Sequence, residues 1–230
     1  MEKPTQADVI IIGAGISAKL AALYLSLHRF KVIILPNQSL KKETSNLVTF
    51  LSSGSIKFFL EILGGNESKL NFEEIKQLYC CQYDPSDKEN AKFNFEANKE
   101  DFLGKIIPNK KIVEILDDLI LDNNIRIFND ELVSKINKLN NQIEVISSTA
   151  SSFSAKLLIM ADGKNSMIKR YGNFQFITHD FQQTALSITT NMDRKSQNVA
   201  YQYFTPDGPL ALLPYSSSHS SIVWPLKKHS

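Results

Sequence analysis

The chain has 230 residues, 43% apolar and 22% charged, and a net charge of +2. That composition supports a buried core and excludes a disordered chain; it also lacks the basic field that nucleic-acid binding requires. No apolar run approaches the roughly 18 residues that span a bilayer, and the only two cysteines, Cys80 and Cys81, are adjacent, which fits a reducing compartment better than a structural disulfide.

The stretch Met1 to Asp8 mixes acidic and basic residues, unlike a secretory leader, and runs into the all-apolar Val9-Ile10-Ile11-Ile12. Such a β-branched run fits a strand covered on both faces of a parallel sheet. Gly13-Ala14-Gly15-Ile16-Ser17-Ala18 follows, then Ile16, Leu20, Leu23 and Leu27 recur at helical spacing to about His28, and Lys31 to Leu35 forms a second apolar strand. This strand–turn–helix–strand unit has the length a crossover needs. A helix is predicted over Ser55 to Leu63, with Ile56, Phe59, Leu60 and Leu63 on one face and Gly64-Gly65 as its stop. Gln77 to Gln82 and Lys92 to Glu96 read as strands. Asn109 is the predicted N-cap of a helix through Asp122 that turns Ile112, Leu116 and Leu119 inward. Asn124 to Phe128 reads as a strand, and Leu132 to Leu139 with Gln142 to Ser147 as a hairpin around Asn140-Asn141. Phe153 to Met160 is predicted as one buried strand. After Asn173 the pattern is strand-rich, with turns at Asn191 to Ser196 and Thr205 to Gly208.

The expected fold class is therefore α/β. Residues 1–173 form a Rossmann-like domain on a parallel sheet of Val9–Ile12, Val32–Leu35, Ile125–Phe128 and Leu157–Met160. Residues 174–230 form a β-rich domain, to which 76–100 also contributes.

Two constellations carry chemistry. Gly13-x-Gly15-x-x-Ala18 lies between a strand and a helix, where a dinucleotide fingerprint must lie. Gly13 permits the tight turn, Gly15 lets a pyrophosphate reach the backbone, and Ala18 keeps helix and sheet close. The free N–H groups at the helix start suit phosphate. The ribose-binding acid expected at the end of the second strand is replaced by Pro36, which costs one charged hydrogen bond, roughly 1.5–3 kcal/mol; Asn37 or Gln38 could compensate in part. Lys19 reads either as a partner for a diphosphate or as a solvent-facing lysine. The second constellation is Leu157 to Met160 followed by Ala161-Asp162-Gly163-Lys164-Asn165-Ser166 and Lys169-Arg170. Ligands of open α/β sheets bind outside such strand ends, where an Asp accepts from sugar hydroxyls and a Gly admits close approach. Lys41-Lys42 reads as a 2′-phosphate site or a solvated loop. His28, His179, His219 and His229 lack ligand-like spacing, so no metal ligand is assigned. Trp224 reads as part of a sheet facing an aromatic substrate or as core.

The two motifs, about 150 residues apart, resemble those of the flavoprotein aromatic-ring hydroxylases of the para-hydroxybenzoate hydroxylase type. Phe102-Leu103-Gly104-Lys105-Ile106-Ile107-Pro108-Asn109 is similar to the Leu-Gly-Tyr-x-x-x-Asn segment of the ubiquinone-biosynthesis hydroxylases. Asn198 to Phe204, Gly208 to Pro214 and Ser220 to Trp224 are similar to the β-sheet signature of the same subfamily. The resemblance implies FAD as cofactor, held by Gly13, Gly15, Ala18, Asn109, Asp162 and Gly163, with the Asp on the ribityl chain and no catalytic side chain. It further implies NAD(P)H as reductant, O₂ as co-substrate, and hydroxylation of a polyprenylated phenol by a cytoplasmic enzyme working peripherally at the inner membrane or in a ubiquinone-biosynthesis complex. The chain departs from the subfamily near Leu47, where an Arg is usual before the stretch here reading Thr49-Phe50-Leu51-Ser52. The third motif, Gly-Asp-Ala-x-His, is absent from the 230 residues. The alternative expectation is therefore a truncated, non-catalytic remnant, or one piece of a split hydroxylase completed by a separately encoded C-terminal piece.

Overall fold

The computed structural model describes residues 3–37, 46–82, 92–98, 101–171, 175–192 and 198–227. The chain forms two compact units, Met1–Glu43 with Ile112–Ile177, and Thr44–Lys111 with Thr178–Ser230. Its helices are α1 (Ile16–Leu27), α2 (Ser53–Ile62), α3 (Asn109–Asp122) and the single turn α4 (Ile168–Tyr171).

In the first unit the strands Leu157–Met160, Val9–Ile12, Val32–Leu35 and Arg126–Ile127 lie side by side in that order, all parallel. This is the expected sheet. Its two inner strands are buried throughout, which is why they read as unbroken apolar runs. Ile10, Ile12, Ile33 and Leu35 on one face pack against Val133, Val145, Phe153 and Ala155 of a second sheet. That sheet runs Thr5–Gln6, Ser152–Ala155, Ile143–Ser147, Val133–Lys138. α1 packs against Val9–Ile12 and Val32–Leu35.

Three local expectations change here. Phe153 to Met160 is not one strand. Ser152–Ala155 pairs with Ile143–Ser147 and Thr5–Gln6 in the second sheet, while Leu157–Met160 pairs with Val9–Ile12 in the first. One straight strand cannot serve both ladders, so the chain breaks at the exposed Lys156. Leu157–Met160 then forms an edge, with Leu157 half-exposed rather than buried. The strand predicted over Asn124 to Phe128 contracts to Arg126–Ile127. α1 buries Ala18, Lys19, Ala22 and Leu23, whereas Leu27 is exposed and Ile16 and Leu20 are half-buried. Small side chains on that stripe bring the helix axis close to the strands. Lys19 is neither solvent-facing nor free for a diphosphate: its ammonium is buried and paired with Asp117 of α3 at 2.5 Å.

The second unit holds a six-stranded sheet in the order Gln183–Asn191, His219–Lys227, Gly208–Pro214, Val199–Thr205, Gln77–Gln82, Lys92–Glu96. All its pairs are antiparallel except Val199–Thr205 with Gln77–Gln82. A smaller sheet pairs Gly104–Pro108 with Val48–Ser52 and Glu74–Ile75. Ile75, Ile106 and Ala200 form the shared core with Val48, Leu78, Leu213 and Tyr215. The second compact unit groups Thr44–Lys111 with Thr178–Ser230. α2 starts two residues before the predicted Ser55 because the Ser52 side chain caps it, accepting from the Ser55 N–H at 3.3 Å. Cys80 and Cys81 are buried free thiols in Gln77–Gln82. Trp224 sits opposite Leu186 in the sheet, its indole N–H buried without a partner among the described residues.

Candidate functional site

The first unit gathers the fingerprint at the carboxyl ends of its parallel strands. Gly13 leaves Val9–Ile12 at φ +110°, and its N–H donates to the Leu35 carbonyl at 2.9 Å. A Cβ on Gly13 would lie 2.3 Å from the Ala161 carbonyl oxygen and 2.8 Å from the Asp162 Cα. The first turn and the Ala161-Asp162-Gly163 turn therefore touch, and the fold itself demands glycine at 13.

Gly15 is different. Its φ of −76° and ψ of −179° suit any residue, and a Cβ built there meets no heavy atom within 4 Å. Nothing in the packing of the described residues asks for glycine. Gly15 is the N-cap of α1, provides no side-chain cap, and is followed by a first turn without an acidic residue. The first-turn N–H groups and the positive dipole end are thus not neutralised by the chain. Ala18, fully buried, sets the close approach of helix and sheet.

Asp162 ends the other flank. Its Oδ2 accepts from the Asn37 side-chain amide at 3.1 Å and from the Met167 N–H at 2.7 Å. Its Oδ1 is buried and has no partner among the described residues. An unmatched buried acceptor costs about 1–3 kcal/mol, and more when charged, so this atom is where a hydroxyl donor would be accommodated. Gly163, at φ +73°, follows in a turn that ends at Ser166, whose Oγ accepts from the Ile168 N–H at 3.2 Å and so serves α4. Lys164 and Lys169 are exposed, the latter with its ammonium 5.3 Å from the Phe176 ring centre.

The first unit thus brings Gly13, Gly15, Ala18, Asp162 and Gly163 together, and Asn109 belongs to the second unit. Asn109 is the first residue of α3; its Oδ1 accepts from the Thr49 hydroxyl at 2.6 Å and its N–H donates to the Leu47 carbonyl at 2.9 Å. The pairing of Val48–Ser52 with Gly104–Pro108 produces this meeting of two segments that the sequence singled out separately. Gln38, Lys41, Lys42, His229, the turn residues 193–197 and the Arg170 side chain lie outside the described residues. Sequence reasoning missed the use of Asn37 as a donor to Asp162. The two are 125 positions apart and no local pattern links them.

Groups with shifted titration stand elsewhere. The hydroxyls of Ser147, Thr149 and Ser151 hold the Glu131 carboxyl below the ordinary glutamate range, and Asn137 and Ser152 do the same for Glu144. Burial pushes the Cys80 thiol and the Tyr203 phenol up. A groove in the second unit, lined among others by Ser53, Ile56, Leu60, Phe102 and Lys105, contains none of the predicted cofactor residues. No group of three or more potential metal ligands occurs among the described residues.

The fold is that of the FAD-binding flavoprotein monooxygenases. PqsL of Pseudomonas aeruginosa, in complex with 2-aminobenzoylacetate, superposes with a TM-score of 0.80 at 15% identity, covering 97% of this chain and 61% of that one. An HpxO variant of Klebsiella pneumoniae complexed with FAD superposes at 0.74 with 16% identity, over 97% of this chain and 58% of that one. No protein-family profile matches the chain.

By sequence the chain is similar to curated ubiquinone-biosynthesis monooxygenases. The human ubiquinone biosynthesis monooxygenase COQ6, mitochondrial, is 27% identical over 243 residues, which is 94% of this chain and 50% of that protein. The ubiquinone hydroxylase UbiL of Rhodospirillum rubrum is 30% identical over 94 residues, 40% of this chain and 22% of that protein. The chain spans about half the length of the longer-matching curated relatives.

Proposed function

We propose that the crevice of the first unit binds FAD, and that the chain carries the flavin-binding and substrate-sheet parts of a hydroxylase acting on a polyprenylated phenol with NAD(P)H and O₂. The observation that carries this reading is the pair formed by Gly15, a glycine the fold does not need, and Asp162 Oδ1, a buried acceptor the chain does not satisfy. Both have a use once a dinucleotide lies across the strand ends.

The residues present fit that group. The first-turn N–H groups of α1 donate to the pyrophosphate, and the absence of a side chain at 15 leaves them accessible. Gly13 holds the second turn against the first, which sets Asp162 beside the phosphate loop. Asp162 Oδ1 accepts from a hydroxyl of the ribityl chain, and Gly163 allows backbone to approach the same segment. Asn109, in the second unit, matches the subfamily segment, and its Oδ1 is held by the Thr49 hydroxyl. When bound, FAD supplies the redox chemistry that activates O₂ for transfer of one oxygen atom to an electron-rich ring. The chain's part is to bind, orient and exclude water, and no side chain is assigned as acid or base.

In the second unit, Tyr79, Tyr201 and Tyr203 make successive ring contacts on one face of the sheet, with centroids 5.8 and 6.3 Å apart. Such a face suits an aromatic substrate. No helix among the described residues is long and apolar enough to cross a membrane. In this reading the polyprenyl tail of the substrate is reached by peripheral contact at a membrane surface. The relatives matched over 94% of the chain carry the name of ubiquinone-biosynthesis monooxygenases, which supports the hydroxylase reading.

The test is a titration of the purified chain with FAD by flavin fluorescence, repeated with ADP as competitor, followed by an assay of NAD(P)H oxidation with a prenylated phenol. Saturable FAD binding displaced by ADP supports the reading. FAD that neither saturates nor yields to ADP contradicts it.

A further inference from the structure

Asn37 stands immediately after the buried Pro36 at the end of Val32–Leu35. It is half-buried, and its amide nitrogen lies 3.1 Å from Asp162 Oδ2. Val32–Leu35 and Leu157–Met160 flank Val9–Ile12 on opposite sides, so this bond spans the end of the strand from which Gly13 turns. The Met167 N–H, at 2.7 Å, takes the same carboxylate oxygen. Both donors act on Oδ2, and Oδ1 is left buried and unpartnered among the described residues.

The chemistry at 37 has to be a donor. An acid there would bring a second carboxylate within hydrogen-bonding distance of Asp162, and like charges so close oppose simultaneous ionisation. The neutral residue on one strand end and the carboxylate on the other form a single arrangement.

We propose that Asn37 is a positioning residue for Asp162: by holding Oδ2 it fixes the carboxylate plane, so that Oδ1 is presented to a sugar or ribityl hydroxyl of the dinucleotide. This inference rests on the reading of the crevice as an FAD site. It differs from a direct role for Asn37 as stand-in for the missing ribose acid, and the two roles give opposite results on substitution.

The test is FAD titration by flavin fluorescence of the full chain as wild type, N37A, D162A and N37A/D162A, with ligand-free melting followed so that lost folding is not read as lost binding. N37A weakens FAD about 10-fold in the wild-type background, the effect of one hydrogen bond to a charged group. In the D162A background it costs less than about 2-fold, because residues that act through one another are not additive. Equal losses in both backgrounds overturn the proposal. N37D, which keeps the size of the side chain, weakens FAD at least as much as N37A; a tighter complex would assign residue 37 a direct hydroxyl contact and also overturn it. Failure of the wild-type chain to bind FAD at all contradicts the flavin reading and the inference with it. That result is distinct from failure of the inference alone, which leaves wild-type binding intact.

Discussion

Replacing Gly15 by Val separates what the fold needs from what the ligand needs. The backbone at 15 has φ −76° and ψ −179°, and a new Cβ meets nothing within 4 Å. The Cβ therefore adds no strain and no overlap, and the unfolding free energy should stay within about 1 kcal/mol of wild type, which allows for a β-branched residue at a helix N-cap. The same branched side chain stands over the first-turn N–H groups of α1, where a pyrophosphate must come into hydrogen-bond contact. Loss of two such bonds to a charged group, at about 1.5–3 kcal/mol each, amounts to roughly 10²- to 10⁴-fold in affinity. Urea unfolding and FAD titration of the same preparation measure the two quantities. Wild-type affinity in G15V refutes the pyrophosphate assignment. A large loss of stability refutes the claim that the fold makes no demand at this position.

Gly13→Ala should do the opposite, destabilising the ligand-free chain by more than about 2 kcal/mol in urea unfolding, since the Cβ overlaps the Ala161 carbonyl and φ is +110°. The Lys19–Asp117 pair is asymmetric, with side-chain exposures of 8% and 48%. Asp117→Ala, which strands a buried ammonium, should cost about 1–3 kcal/mol, while Lys19→Met should lie within about 1 kcal/mol of wild type or stabilise; the reverse order in urea midpoints contradicts this account. Glu131 and Glu144 have depressed folded-state pKa values, so their contribution is complete above the unfolded value near 4.5 and is lost as the pH falls through the folded values. The double variant E131Q/E144Q should accordingly lose less of its melting temperature between pH 6 and pH 3 than wild type loses, and an equal or greater loss would show that these carboxylates carry no such linkage.

The parts of the fold legible in the sequence were those whose cause is local. Val9–Ile12 and Val32–Leu35 read as strands of a parallel sheet because burial on both faces leaves no polar position in them. The fingerprint was legible because a strand, a glycine turn and a helix start are consecutive. The break at Lys156 was not, because the apolar run from Phe153 to Met160 continues while its hydrogen-bond partners change sheet. The grouping of 44–111 with the C-terminal strands depends on the parallel pairing of Gln77–Gln82 with Val199–Thr205, which leaves no local trace. Lys19 read as a diphosphate partner or a solvent-facing lysine because its actual partner, Asp117, lies on α3, distant in sequence. Within the site, Gly13, Gly15 and Asp162 were each visible as motif residues. The contact between their turns and the donation from Asn37 arise only when the strand ends are brought together.

Amide hydrogen exchange of the chain with and without saturating FAD tests the location of the site most directly. The account predicts slowed exchange in the turn and first turn of α1, residues 13–19, and in residues 161–167, the two segments that meet at the strand ends. Protection confined to other segments, or none in either of these, would contradict the claim that this crevice holds the flavin dinucleotide.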